Sequence, residues 1–272
     1  MTRANNPRAL LGHLSRRRRH RGAPLLLLLL ALAVTGGAYA ALAPTTGAEA
    51  ASGPSAQTVA QGRALFLKNC ATCHGLNGQG SSDGPTLVGV GAASVDFQVA
   101  TGRMPGAVRG AQIEVKRNIF SPRQISAMAA YVATLGPGPS IPSKQDLDYS
   151  KADVAAGSQI YLTNCAMCHN YNGSGGALTR GKYAPSINKT TPRHIWEAML
   201  TGPQSMPVFN DQTMTPKEKR QLIAFVRETS TQPSPGGARL GAIGPVSEGA
   251  VAWLAGLGGL IACTVWLGAK AR

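Results

Sequence analysis

Cys70-Ala71-Thr72-Cys73-His74 and Cys165-Ala166-Met167-Cys168-His169 are two copies of one pattern, Cys-X-X-Cys-His. That pattern is the attachment sequence of a c-type haem. Two thiols add across the two vinyl groups of the porphyrin, so they must stand one helical turn apart on one face. The adjacent histidine is then carried under the iron as its proximal ligand, and the tether holds the group even in a domain too small to enclose it. A zinc knuckle or a thioredoxin-like dithiol is the competing reading of a single copy. Zinc asks for four protein ligands in a closed site, yet after His74 no Cys or His occurs until Cys165. A redox dithiol asks for a βαβ context, and neither motif has one. The pair implies two covalently bound haem c groups, held by Cys70, Cys73, Cys165 and Cys168, with His74 and His169 on the irons.

Working outward, the motifs lie 95 residues apart, from Cys70 to Cys165, and the residues before them match as well. Val59-Ala60-Gln61-Gly62 precedes Phe66 and Asn69 as Val154-Ala155-Ala156-Gly157 precedes Tyr161 and Asn164. A chain of 272 residues would accommodate one large domain or two small ones, and the repeat decides for two. Four of the five cysteines are used by the motifs, so no structural disulfide is expected; Cys263 falls in an apolar segment and reads as a small lipid- or helix-facing residue.

The net charge of +15 is unevenly spread: seven arginines and no acid precede residue 23. A nucleic-acid role for such a run is possible in principle, but residues 22–43 follow at once without a charge, long enough to span a bilayer. A basic start and an apolar span make a signal peptide or signal anchor with the arginines inside. Ala38-Tyr39-Ala40 has the form of a cleavage site, whereas the length of the apolar run favours a retained span. Residues 249–269 repeat the theme, with Trp253 and Trp266 towards their ends and Lys270 and Arg272 after them. Two inside ends place everything between them outside, where c-type haems are attached, so a multi-pass cell-membrane protein with extracytoplasmic haem domains is expected.

Punctuation divides what lies between. Gly136-Pro137-Gly138-Pro139 and Pro142 mark one linker, and Pro233, Pro235, Gly236 and Gly237 open another. The expected order is a basic segment 1–21, a span 22–43, a haem domain 55–135, a linker 136–148, a second haem domain 149–230, a linker 231–248 and a span 249–269. Neither domain contains a convincing alternating strand run, so the fold class is all-α. Ser121-Pro122-Arg123-Gln124 and Thr215-Pro216-Lys217-Glu218 are parallel capping boxes with a first-turn proline, each opening the last helix of its domain. Gly136 is expected to stop the first of these helices.

With these residues in view, both halves resemble class I cytochrome c domains. That resemblance implies that Gly62 and Phe66 on a first helix meet Tyr131 on the last, and that Gly157 and Tyr161 meet Phe225. It also implies that the carbonyls of Pro85 and Pro185 accept the second ring N–H of His74 and His169, fixing orientation and basicity. The sixth iron position suits methionine, whose thioether favours ferrous iron. Thr101-Gly102-Arg103-Met104-Pro105 and Thr201-Gly202-Pro203-Gln204-Ser205-Met206-Pro207 end on the same pair, so Met104 and Met206 are the expected ligands. Met128 and Met199 read as core, and Met167 should not reach the distal face. Met214 is the runner-up for the second iron, and His194, opposite Ser94 in the first half, would give bis-histidine ligation instead. Gly78, Gly80, Gly84, Gly173, Gly175 and Gly176 suit a loop wrapped tightly against a porphyrin edge. From first cysteine to proline the second repeat runs 20 residues against 15; Gly181-Lys182-Tyr183 in that longer loop reads as solvent-exposed, with a partner surface as the alternative.

Two such haems carry electrons singly, and no His-Asp-Ser set or carboxylate pair stands out as a catalytic centre. Span, two haem domains and span together closely resemble the dihaem cytochrome c subunit of the actinobacterial cytochrome bcc complex, a menaquinol:cytochrome c reductase. Cys-His-Gly-Leu-Asn-Gly-Gln-Gly (73–80), Val-Gly-Val-Gly-Ala-Ala (88–93) and Gly-Pro-Val-Ser-Glu-Gly (244–249) carry the match. The resemblance implies a cytochrome b subunit and a Rieske iron–sulfur protein as partners, delivery of electrons to a haem-copper terminal oxidase, and a dimeric complex or supercomplex. It implies an electron-transfer subunit of a translocating oxidoreductase, without a catalytic site of its own. A dihaem subunit of a membrane dehydrogenase has similar repeats but does not predict the C-terminal span; a gas-binding haem protein would bind carbon monoxide at an open iron.

Overall fold

The computed structural model describes residues 22–42, 53–107, 112–232, 240 and 245–270. The basic segment 1–21, the prolines and glycines of 233–237 and Arg272 lie outside them. The chain divides into two compact units, Met1–Gly53 and Pro54–Arg272. The first holds α1 (Ala23–Leu42), an apolar helix whose leucines are exposed from Leu25 to Leu32.

The second unit is built mostly of helices, in an order that occurs twice. In its first half stand α2 (Ala56–Asn69), the single turn α3 (Ala71–His74), α4 (Gly91–Ala100) and α5 (Pro122–Ala133). The second half has α6 (Val154–Asn164), the single turn α7 (Ala166–His169), α8 (Pro192–Thr201) and α9 (Pro216–Thr231), with a two-residue antiparallel ribbon of β1 (Gly176–Ala177) and β2 (Tyr183–Ala184). The ribbon lies in the longer loop and, among the described residues, is the one departure from an all-helical expectation.

Local chemistry explains where these helices begin. Ser121 and Gln124 form the reciprocal capping box at α5, and Thr215 and Glu218 form it at α9, satisfying amide donors that a helix start leaves unpaired. Asp153 caps α6 through the amides of Ala155 and Ala156, and Thr191 caps α8, where Pro192 opens the first turn. The stop of α5 differs from expectation. Thr134 is its C-cap, in a right-handed conformation, and Gly136 does not take a positive φ. A Cβ on Gly136 would lie 3.1 Å from the amide nitrogen of Gly89, so this glycine serves a close approach and not a left-handed turn.

Each half is built on one crossing, α2 on α5 and α6 on α9, and in the first half α4 packs on α5 as well. A Cβ on Gly62 would land on the carbonyl of Ala127, and one on Gly157 on the carbonyl of Gln221. Phe66 and Tyr131 fill one crossing with ring centroids 5.2 Å apart, and Tyr161 and Phe225 fill the other at the same 5.2 Å. Such tilted pairs contribute about 0.5–1.5 kcal/mol beyond their buried area. The cores differ. Tyr161, Ile195, Trp196, Met199, Met214, Leu222, Ile223 and Val226 form one cluster in the second half. The first half has two smaller clusters, around Phe66 and Tyr131 and around Val99, Ile125 and Met128, and Cys70 and Val95 border both.

The two halves are not independent beads: α4 packs on α8. After them comes a run through α10 (Pro245–Ala252), a π-turn (Trp253–Leu257) and α11 (Gly258–Lys270). Val246–Lys270 is long and apolar enough to cross a membrane, and Cys263 is exposed on it.

Candidate functional site

Each Cys-X-X-Cys-His motif is one tight helical turn. In the first, the amides of Cys73 and His74 donate to the Cys70 carbonyl at 3.2 and 3.0 Å, which holds the two thiols one turn apart. Burial and the neighbouring Cys73 push the Cys70 thiol up to about 11; burial and Cys168 push Cys165 up to about 12. A redox dithiol needs a depressed pKa at its attacking thiol, and neither Cys70 nor Cys165 is depressed.

His74 is buried, and its Nδ1–H donates to the Pro85 carbonyl at 2.7 Å. His169 does the same to Pro185 at 2.9 Å. A carbonyl can only accept, so each ring carries a proton on Nδ1, which in the neutral tautomer leaves Nε2 its lone pair. Burial pulls His169 below its ordinary value, against the opposing Pro185 bond, which keeps the ring in the neutral form that binds metals. The glycine loops fit closely around these rings. Gly80, at φ 87°, donates to the His74 carbonyl at 2.7 Å, and Gly175, at φ 85°, to that of His169 at 2.9 Å. A Cβ on Gly84 would come within 3.1 Å of the His74 ring.

One difference between the repeats escaped the sequence reading. Where Phe66 stands in the first half, Tyr161 adds a hydroxyl that donates to the Asn170 carbonyl at 2.7 Å. It thereby anchors a residue at φ 65°, directly after His169, where the first half has Gly75 at φ 79°.

A cavity of about 510 Å³ opens beside His169, lined also by Cys165, Cys168, Pro185, Met199 and Met206. The thiols, a neutral imidazole nitrogen and a thioether thus face one apolar space of the size that holds a cofactor, and a covalent haem fits this donor set. In the first half Cys70 borders both core clusters, and Met104 is packed on one of them.

The other candidates sort by place. Met214 is 4% exposed within the second core and does not line the cavity. Met128 is likewise core, and Met167 is 90% exposed. His194 lines the cavity, but its Nε2 stands 4.0 Å from Asp96 on α4, where burial lowers its pKa against the opposing Asp96 charge. Gly181-Lys182-Tyr183 is not an idle loop. The Tyr183 amide donates to the Gln112 side chain at 2.8 Å, Gln112 returns a bond to the Tyr183 carbonyl at 2.9 Å, and Lys182 Nζ donates to Ser205 at 2.9 Å. Phe97, Arg103, Gln112 and Val115 of the first half consequently wall the cavity of the second.

The stretch after Met206 is pinned by Lys219. Its side chain is fully buried, donating to Asp211 Oδ1 at 2.6 Å and to the Met214 carbonyl at 2.8 Å. Asp211 is largely exposed, so removing either partner is unequal. Asp211→Ala strands a buried ammonium and should cost about 3 kcal/mol, whereas Lys219→Met leaves a carbonyl unpaired and a solvated carboxylate, about 1 kcal/mol. Denaturant midpoints of the two variants check that order.

Comparison with known proteins agrees with both halves. The cytochrome c family model matches residues 59–136, and that of cytochrome c oxidase, cbb3-type, subunit III matches residues 152–226. The chain is 43% identical over 253 residues to a cytochrome bc1 complex cytochrome c subunit of Mycobacterium leprae, covering 90% of this chain and 87% of that protein. It is 42% identical to that of Mycobacterium bovis over 95% of both chains. Against that of Corynebacterium diphtheriae it is 41% identical, covering 89% and 92%. Similarity of this extent, over a chain with both attachment turns in place, means that the chain belongs to the family of cytochrome bc1 complex cytochrome c subunits.

Proposed function

We propose that the chain is a membrane-anchored dihaem cytochrome subunit of a quinol-oxidising respiratory complex, relaying electrons from a Rieske iron–sulfur protein to a haem-copper terminal oxidase. Family membership carries the broader part, an electron-transfer cytochrome of a respiratory complex. The observation that carries the dihaem part is the duplicated bond from His74 to Pro85 and from His169 to Pro185 behind each attachment turn, while the donor, the acceptor and the membrane anchors rest on the resemblance and on the apolar runs. One such bond orients one axial histidine; two of them argue for two haem sites in tandem cytochrome c domains, over about residues 55–135 and 149–230.

In this reading Cys70 and Cys73, and Cys165 and Cys168, form the thioether tethers. His74 with Met104, and His169 with Met206, are the axial pairs. The haem irons supply reversible one-electron exchange. Pro85 and Pro185 hold each imidazole in one tautomer, the glycine loops close over its edge, and the apolar walls exclude water. The runs 22–43 and 249–269 would anchor the chain at both ends, with the domains between them outside. Cytochrome b and the Rieske protein are the expected partners, within a dimeric assembly.

Intact-mass measurement of the purified chain should find two covalent haems. The double change Cys165→Ala, Cys168→Ala should leave one, with cytochrome b still co-purifying. A wild-type chain carrying a single haem would defeat the reading.

A further inference from the structure

Between the two halves lies an ionic cluster with two buried carboxylates that the electron-transfer reading does not use. Asp96 on α4 and Glu197 on α8 are 101 residues apart in the chain, and they are only 5% and 0% exposed. Arg193 joins them: Nη2 lies 2.8 Å from Asp96 Oδ1, and Nε donates to Glu197 Oε1 at 3.1 Å. The other Glu197 oxygen, Oε2, is buried without a hydrogen-bond partner. Ligand atoms of Asp96, Glu197 and His194 all lie within 4.8 Å of one another.

With both carboxylates ionised, this cluster holds two negative charges and the one positive charge of Arg193. His194 does not make up the deficit, because burial favours its neutral form. Arg103 sits over the Phe97 ring at 4.8 Å, and α9 turns Lys219 to the Trp196 ring, where it pairs with Asp211. The Asp96–Glu197–Arg193 group therefore lacks one unit of positive charge, with both carboxylates sheltered from water and the Arg193 side chain half-buried at their edge. A dication would overshoot neutrality beside the guanidinium, whereas a proton meets it. An orphaned buried carboxylate oxygen facing a second carboxylate is where that proton belongs.

We propose that Glu197 carries a proton and donates it in a hydrogen bond to Asp96, so that these residues and Arg193 form a one-proton clamp positioning the two halves, and with them their haem sites. The positioning role rests on the dihaem reading; the shared proton does not. Burial, with the Asp96 charge next in weight, pushes the Glu197 carboxyl up to about 8. A raised carboxyl pKa means the folded form binds more protons than the unfolded one. The clamp is then intact at and below neutral pH and is lost as pH rises through about 8. Ionised, Glu197 would repel Asp96 across the α4–α8 contact and loosen it.

The test uses the holoprotein in its detergent-solubilised complex. Infrared spectra at neutral pH should contain a protonated-carboxyl C=O band that is absent in Glu197→Gln and titrates away near the stated pH in wild type. In Asp96→Asn, with the repelling charge gone and Arg193 kept, the band should titrate at lower pH. Deuterium uptake at α4 and α8, corrected for intrinsic exchange, should rise on the order of tenfold between about pH 7 and about pH 10 in wild type. In Glu197→Gln, which keeps a donor to Asp96, it should stay flat and low. Two outcomes would overturn the clamp: no infrared difference between wild type and Glu197→Gln, or the same pH profile of exchange in both. A haem count below two with the acid band present would instead defeat the dihaem reading and leave the proton in place.

Discussion

Gly157→Ala should cost the second half about 3 kcal/mol or more, because the added methyl has nowhere to go. It would land on the carbonyl oxygen of Gln221 at the crossing of α6 and α9, and a backbone carbonyl cannot swing aside as a side-chain end can. Alanine in mid-helix is favoured over glycine by about 0.5–1 kcal/mol, so packing and propensity oppose each other here, and packing is the larger. Gly62→Ala should act alike on α2 and α5, where the obstacle is the Ala127 carbonyl. In thermal denaturation followed by circular dichroism, each should lower the transition by on the order of 10 °C. Gly106→Ala is the control: it is exposed, with its nearest neighbour, Ile113 Cδ1, at an ordinary 3.6 Å, and it should change stability by less than about 0.5 kcal/mol. A shift for Gly157→Ala as small as that of the control would show that the crossing can relax.

On the proposed ligation, Met206→His should retain the covalent haem and lower its midpoint potential by on the order of 0.2 V, a fraction of the roughly 0.8 V that axial ligands command. Exchanging a thioether for an imidazole removes the preference for ferrous iron, while Cys165, Cys168 and the bond from His169 to Pro185 are untouched. Electron flow through the complex should slow. Met214→Leu tests the alternative ligand. Met214 is buried in the core, so a volume-conserving change should cost less than about 1.5 kcal/mol and leave the potential alone. A redox titration unchanged in Met206→His, or one displaced in Met214→Leu, would reassign the sixth ligand.

Much of the fold was legible because the relevant chemistry is compressed into short runs. A capping box needs four residues, and both boxes stand where Ser121 and Thr215 announce them. The helix crossings followed from the resemblance to class I cytochrome c domains, with Gly62 and Gly157 recurring at matched offsets before the motifs. The prolines behind the histidines followed from a family pattern, and the hydrogen bonds are there. The start of α4 was less visible: it opens at Gly91 with no side-chain cap, and its face is set by what it packs against. Gly136 misled because a glycine after a helix commonly serves φ, whereas this one serves space.

The candidate site divides along the same line. Residues 70–74 and 165–169 state the attachment chemistry alone, because bonding a porphyrin depends on spacing within one helical turn. How Tyr183 reaches Gln112, and that Asp96 and Glu197 confront each other around Arg193, were decided by tertiary packing between the halves, the second of them by α4 on α8. No periodicity links residues about a hundred positions apart, and a carboxylate reads as a solvated surface charge until a second helix takes its water away. Burial turns that ordinary pair into one that must hold a proton, and burial belongs to the folded chain.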